Sequence, residues 1–117
     1  LIESHPSRGR TLLLEIRSMP EEVAQVAFEH HEKFNGTGYP MRIRGSSIHP
    51  FARLVYVADR FVNLTMPLVE DTPRLDPVQA IFQLASYHSE ELDSECLGAL
   101  AKVFDLKEFA ASAKKAA

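Results

Sequence analysis

The chain has 117 residues, 45% of them apolar and 25% charged, with a formal net charge of −3. That is one domain's worth of chain with enough apolar content for one core, and it offers no basic field of the kind that holds a nucleic-acid polymer or an anionic membrane surface. No apolar run approaches the roughly 20 residues of a bilayer span, and the single cysteine, Cys96, excludes an internal disulfide and suits a reducing compartment, so the expectation is a cytoplasmic protein without membrane insertion.

Helical punctuation recurs along the chain and strand alternation is scarce, which predicts an all-α fold, a helical bundle of about five helices with short loops. Leu1 and Ile2, apolar and uncapped, read as the end of an element that begins upstream. Pro6 suits a first helical turn, and Gly9, Leu12, Leu13 and Ile16 then share a face, giving a helix over roughly 6–17. Ser18 to Glu21 has the S-x-x-E form of a capping box with Pro20 in the first turn. Val23, Val26, Ala27, His30 and Phe34 follow at spacings of three and four. This second helix is expected to run to Asn35-Gly36-Thr37-Gly38, where two glycines and an asparagine favour positive φ. Tyr39 to Ser47 has no period and reads as a loop, basic through Arg42 and Arg44.

Pro50 opens a third helix through Phe51, Ala52, Val55, Ala58, Asp59 and Val62, ending before Pro67. After a connector from Pro67 to Leu75, Asp76-Pro77 is a cap followed by proline at the first helical position, and Val78, Ile81, Phe82 and Ala85 form the face of a fourth helix. Asp93 can cap a fifth, with Leu97, Leu100, Ala101 and Phe104 on one side. Residues 1–109 are expected to form one helical domain, incomplete at its start, and 110–117 an Ala/Lys-rich tail.

The densest chemical signal is His30-His31. Adjacent helical positions diverge by about 100°, so the pair should flank two ions more readily than chelate one. Imidazole suits Fe, Mn, Zn and Ni, and a nearby carboxylate shifts the balance toward harder metals in octahedral sites. The bland alternative is a satisfied core histidine beside a surface one. Asp59 follows the uncharged run Leu54 to Ala58, and a buried carboxylate is costly unless it is paired or binds a cation; an ion pair with Arg53 or Arg60, or simple exposure, is the alternative. His5 is a third candidate, against a role in starting a helix. In Gly36-Thr37-Gly38-Tyr39-Pro40 the glycines permit a backbone that side chains forbid, and Tyr39 offers an aromatic ring with a polar tip; an ordinary helix stop is the alternative.

Together these residues resemble a family. His30-His31-Glu32-Lys33-Phe34-Asn35-Gly36-Thr37-Gly38-Tyr39-Pro40 is similar to the HHExxxGxGYP signature of HD-GYP domains, cyclic di-GMP phosphodiesterases of the HD superfamily. The resemblance extends to His5-Pro6 with Gly9, to Ile48 through Arg53, and to Ala58-Asp59 with Leu64-Thr65, covering nearly the whole chain. It implies that His5, His30, His31 and Asp59 are ligands of a bi- or trinuclear iron or manganese site. Gly38, Tyr39 and Pro40 would shape the substrate pocket; Arg42 and Arg44 are expected substrate contacts on a different ground, the positive charge they bring to the following loop. The implied activity is metal-dependent hydrolysis of cyclic di-GMP to pGpG and GMP.

Two main departures and one milder one qualify that expectation. The HD dyad and its lysine should lie upstream of His5, so no catalytic residue is assigned within these 117 and the chain alone is expected to be nearly inert, with activity residing in a longer protein. After Asp59 the family's phosphate-holding arginine aligns with Leu68; a lost charge-assisted hydrogen bond weakens binding by about 1.5–3 kcal/mol. Asn35 replaces a frequent aspartate but suits the turn. The rival reading is a degenerate, non-catalytic module that binds nucleotide, a signalling-protein partner or a second copy of itself; a plain helical domain is the third.

Overall fold

The computed structural model describes residues 4–106. Among them are five α-helices, namely α1 (His5–Leu14), α2 (Glu21–Glu29), α3 (Pro50–Thr65), α4 (Pro77–Tyr87) and α5 (Ser94–Val103), one 3₁₀ turn at Gly45–Ser47 and no strand. The all-α expectation holds. Leu1-Ile2 and the Ala/Lys tail at 110–117 lie outside the described residues. The chain divides into two compact units, 1–56 and 57–117, with α3 running through the division.

In the first unit α1 packs on α2. Pro6, buried in the first turn of α1, supplies a preset φ where its missing N–H is not needed. α1 stops three residues short of the expected 17, because Glu15 and Ile16 donate back to the carbonyls of Leu12 and Leu13 at 3.2 and 3.1 Å, tighter returns that end an α-helix. Arg10 lies over the Phe28 ring, 3.9 Å from its centroid, joining the two helices by a cation–π contact.

Both ends of α2 differ from expectation. The Ser18 capping box does not form: α2 begins at Glu21, and its N-cap is Pro20, with no side-chain cap. Met19 precedes a proline and is thereby pushed out of the α region, so the helix starts only after Pro20. Glu21 and Glu22 still place negative charge at the positive end of the helix. At the other end α2 stops at Glu29, not at Asn35. The Glu29 carbonyl accepts from Glu32 at 2.9 Å, a tighter i to i+3 turn, and the His31 carbonyl accepts from Tyr39 of the returning loop at 3.2 Å, so both carbonyls are taken by donors other than those of a longer helix.

Glu29 is buried. Its carboxylate accepts from the His49 backbone N–H at 2.7 Å and from Gln25 at 2.9 Å, tying the end of α2 to the residue before α3. His49 in turn accepts from the Phe51 backbone N–H through Nδ1 at 3.0 Å, a cap on the first turn of α3. Ala24, Ile48, Ala52 and Tyr56 are buried here along with Pro6.

The second unit is built on the end of α3 with α4 and α5, and its core is Val57, Ala80, Ile81, Leu84, Leu92, Leu97 and Ala101. Its helix starts are those the sequence announces. Asp76 accepts from Gln79 N–H at 2.8 Å while the Gln79 side chain accepts from Asp76 N–H at 3.0 Å, a reciprocal capping box, and Asp93 caps α5 through Glu95 N–H at 2.9 Å. Phe61 of α3 meets Phe104, ring centroids 5.5 Å apart. On α3 the buried residues are Ala52, Tyr56 and Val57, whereas Phe51, Leu54, Val55 and Val62 are exposed.

Candidate metal centre

Three histidines converge in the first unit. His5 opens α1, His30 closes α2 as its C-cap, and His31 follows in the turn. One ring nitrogen from each lies within 4.8 Å of the others. The His5 and His30 Nε2 atoms are 3.2 Å apart, close to the roughly 3.0–3.4 Å that separates neighbouring nitrogens on one ion with bonds near 2.1 Å. The rings of His5 and His31 meet edge to face at 4.7 Å, and those of His30 and His31 at 4.2 Å. The helical argument that adjacent histidines diverge therefore does not apply. α2 has ended at Glu29, and the turn lets the two rings share one pocket of space.

The tautomer of His30 follows from a hydrogen bond. Its Nδ1 lies 2.8 Å from the Ala27 carbonyl oxygen, and a carbonyl can only accept, so the proton sits on Nδ1. Nε2 then keeps its lone pair and points it at His5, which is the arrangement of a metal-ligating imidazole with an outer hydrogen bond.

The loop after the histidines is fixed at several points. Asn35 Oδ1 accepts from the Thr37 N–H and hydroxyl at 3.2 and 2.7 Å, an Asx turn that explains why asparagine suits this position. Gly38 is buried on the backbone of residues 31–33: a Cβ there would come within 2.4 Å of the His31 carbonyl oxygen and the Lys33 nitrogen. Only glycine fits. Tyr39, joined to Pro40 by a cis peptide bond, stacks on His31 at 5.0 Å and 14°. It backs the histidine group.

The two loop arginines differ. Arg44 donates to the Asn35 carbonyl at 3.0 Å and helps close the turn. Arg42 is exposed, with φ of 54°. Asp59 is an exposed residue of α3 within the second unit, so the cost of burying its carboxylate gives no reason to expect a cation there. Leu68, also in the second unit, is 95% exposed.

Two carboxylates escaped the sequence reading. Glu29 and Glu32 are buried, yet in sequence they look like solvated charges beside histidines. The signal that could have found Glu32 was its place inside the signature. Its Oε2 accepts from the Met41 N–H at 2.6 Å, and its Oε1 has no hydrogen-bond partner.

A family model described as an HD domain matches residues 1–96. The chain is 35% identical over 65 residues to a cyclic di-GMP phosphodiesterase of Pseudomonas aeruginosa, a match covering 56% of this chain and 16% of that protein. It is 31% identical over 107 residues to a 3'3'-cGAMP-specific phosphodiesterase of Vibrio cholerae, covering 90% of this chain and 22% of that protein. A cyclic di-GMP phosphodiesterase response regulator of Xanthomonas campestris pv. campestris is 39% identical over 62 residues, covering 52% of this chain and 16% of that protein. The chain thus spans only 16–22% of the length of these relatives.

Proposed function

As the chain belongs to the HD domain family and is of its HD-GYP type, we propose that it supplies three imidazole ligands of a metal-dependent phosphodiesterase acting on a cyclic dinucleotide. The observation that carries this reading is the grouping of His5, His30 and His31, with the His30 proton held on Nδ1. Three neutral imidazoles fit a divalent first-row ion, and the family resemblance makes iron or manganese in a bi- or trinuclear site the proposed metal. Such ions, when bound, supply Lewis acidity toward a phosphodiester and a hydroxide nucleophile at neutral pH.

The chain's own residues prepare that site. Ala27 holds the His30 tautomer, Tyr39 packs on the face of His31, and Gly38 lets the loop lie against the ligand-bearing turn. Gly38, Tyr39 and Pro40 would border the substrate, and Arg42, whose guanidinium is exposed, would meet a phosphate; Arg44 is partly committed to the Asn35 turn. Cyclic di-GMP is the proposed substrate. A second reading, 3'3'-cGAMP, is favoured by the relative that matches 90% of this chain.

The test is product release from both cyclic dinucleotides by the metal-loaded whole polypeptide that carries this sequence. A linear dinucleotide or mononucleotide should appear, and the preferred substrate should be the one with the higher kcat/KM. Because Leu68 is fully in solvent, Leu68→Arg can be made without disturbing packing, and a restored phosphate contact should lower KM about 10-fold or more while kcat changes little. Binding without turnover of either nucleotide at full metal occupancy, in both forms, would replace the enzyme reading with a non-catalytic binding module.

A further inference from the structure

Glu32 is a buried ionisable group that no step above uses, although it follows the two histidines directly. It is 2% exposed. One carboxylate oxygen accepts from the Met41 N–H at 2.6 Å, while the other has no hydrogen-bond partner. Leaving a buried acceptor unmet is unfavourable, so a carboxylate at this depth calls for an explanation beyond filling space.

The anchor it makes has a direct consequence for the histidine next to it. The segment from Gly38 to Met41 is held against the 31–33 turn at both ends. At the near end Gly38 lies against that backbone with no room for a Cβ, and the Tyr39 N–H donates to the His31 carbonyl at 3.2 Å. At the far end the Met41 N–H donates to Glu32 Oε2 at 2.6 Å. Between the two ends stands Tyr39, its ring nearly parallel to that of His31. The same His31 ring lies 4.7 and 4.2 Å, centroid to centroid, from those of His5 and His30. A loop released at Met41 would free the tyrosine, and the histidine would lose the surface that sets its angle.

We propose that Glu32 is a positioning residue: by anchoring the Met41 N–H it keeps Tyr39 stacked on His31 and so presents the His31 imidazole to the metal. This rests on the proposed metal site for its consequence, but not for the anchor itself. An amide oxygen can accept the same hydrogen bond, so Glu32→Gln should preserve the arrangement, while Glu32→Ala should lose it.

Two measurements on the purified protein separate the parts. In the metal-free protein, the imidazole carbon-bound protons of His31, assigned through His31→Gln, should carry a ring-current shift that Tyr39→Leu abolishes. Glu32→Ala should abolish it as well, and Glu32→Gln should keep it. Titration with Co²⁺, followed by its visible absorption, should then give an affinity about 10–100-fold weaker in Glu32→Ala and near wild type in Glu32→Gln. Tyr39→Leu added to Glu32→Ala should cost little more, since both act through one contact. Helical circular dichroism and the urea midpoint identify a variant that has simply failed to fold, in which case Glu32→Gln against Glu32→Asp, too short to reach Met41, makes the same comparison. An unchanged His31 shift in Glu32→Ala overturns the anchor, and a changed shift with unchanged Co²⁺ affinity overturns its role in presenting the ligand. If the wild-type protein binds no Co²⁺, the metal reading fails, and the positioning role falls with it while the shift still decides the anchor.

Discussion

A carbonyl oxygen cannot donate, and that elementary fact gives the His30 imidazole its chemistry: the proton goes to Nδ1, toward Ala27, and the lone pair stays on the side of His5 and His31. Gly38 makes a comparably sharp demand. Because a Cβ there would meet backbone atoms, which cannot swing away, Gly38→Ala should destabilise the protein by about 3 kcal/mol, seen as a lowered urea midpoint with little change in slope. A midpoint within error of wild type would mean the loop can lift off the 31–33 turn. The signature singled out His30, His31 and Gly38 in the sequence, and the wider family resemblance singled out His5. Neither the tautomer nor the burial of Glu32 was, since both depend on where the loop returns, and no local pattern of residue types encodes that. The helical spacing rule misled for His30 and His31 because it was applied past the point where the helix ends.

Among the elements, caps decide how well sequence maps to structure. Asp76 and Asp93 stand one residue ahead of α4 and α5, and their side chains do what their chemistry suggests. Ser18 has the same credentials on paper, but the proline two residues later delays the start of α2. This difference is measurable. Asp76→Ala should cost about 1 kcal/mol, whereas Ser18→Ala should stay within about 0.5 kcal/mol of wild type; equal losses in denaturant titrations would contradict the assignment of the two starts. Within α4, Leu84 is fully buried, and Leu84→Ala should cost about 3 kcal/mol through lost contact and the cavity left behind. The length of α2 was not legible, since a local turn from Glu29 to Glu32 and the returning Tyr39 N–H end it where its apolar spacing would have continued.

For the molecule as a whole, composition and helical punctuation were enough for the all-α class, and no helix among the described residues is long and apolar enough to cross a membrane. The division at residue 56 left no mark in the sequence: it falls inside α3, in an apolar run with no glycine, proline or charge cluster to announce it. The wider family resemblance, not the signature, groups Asp59 with the histidines, and Asp59 lies in the second unit. Asp59→Ala should therefore be compared with the histidine variants for metal content, with partial loss expected from the aspartate if it ligates one ion of several. The most direct measurement is elemental analysis of protein reconstituted with Mn²⁺ or Fe²⁺ and freed of excess metal, in wild type and in His5→Ala, His30→Ala and His31→Ala. Bound metal in the wild type and its loss in each histidine variant, with helical content retained, is the expected result; wild-type metal content in all three variants would contradict the three-histidine site.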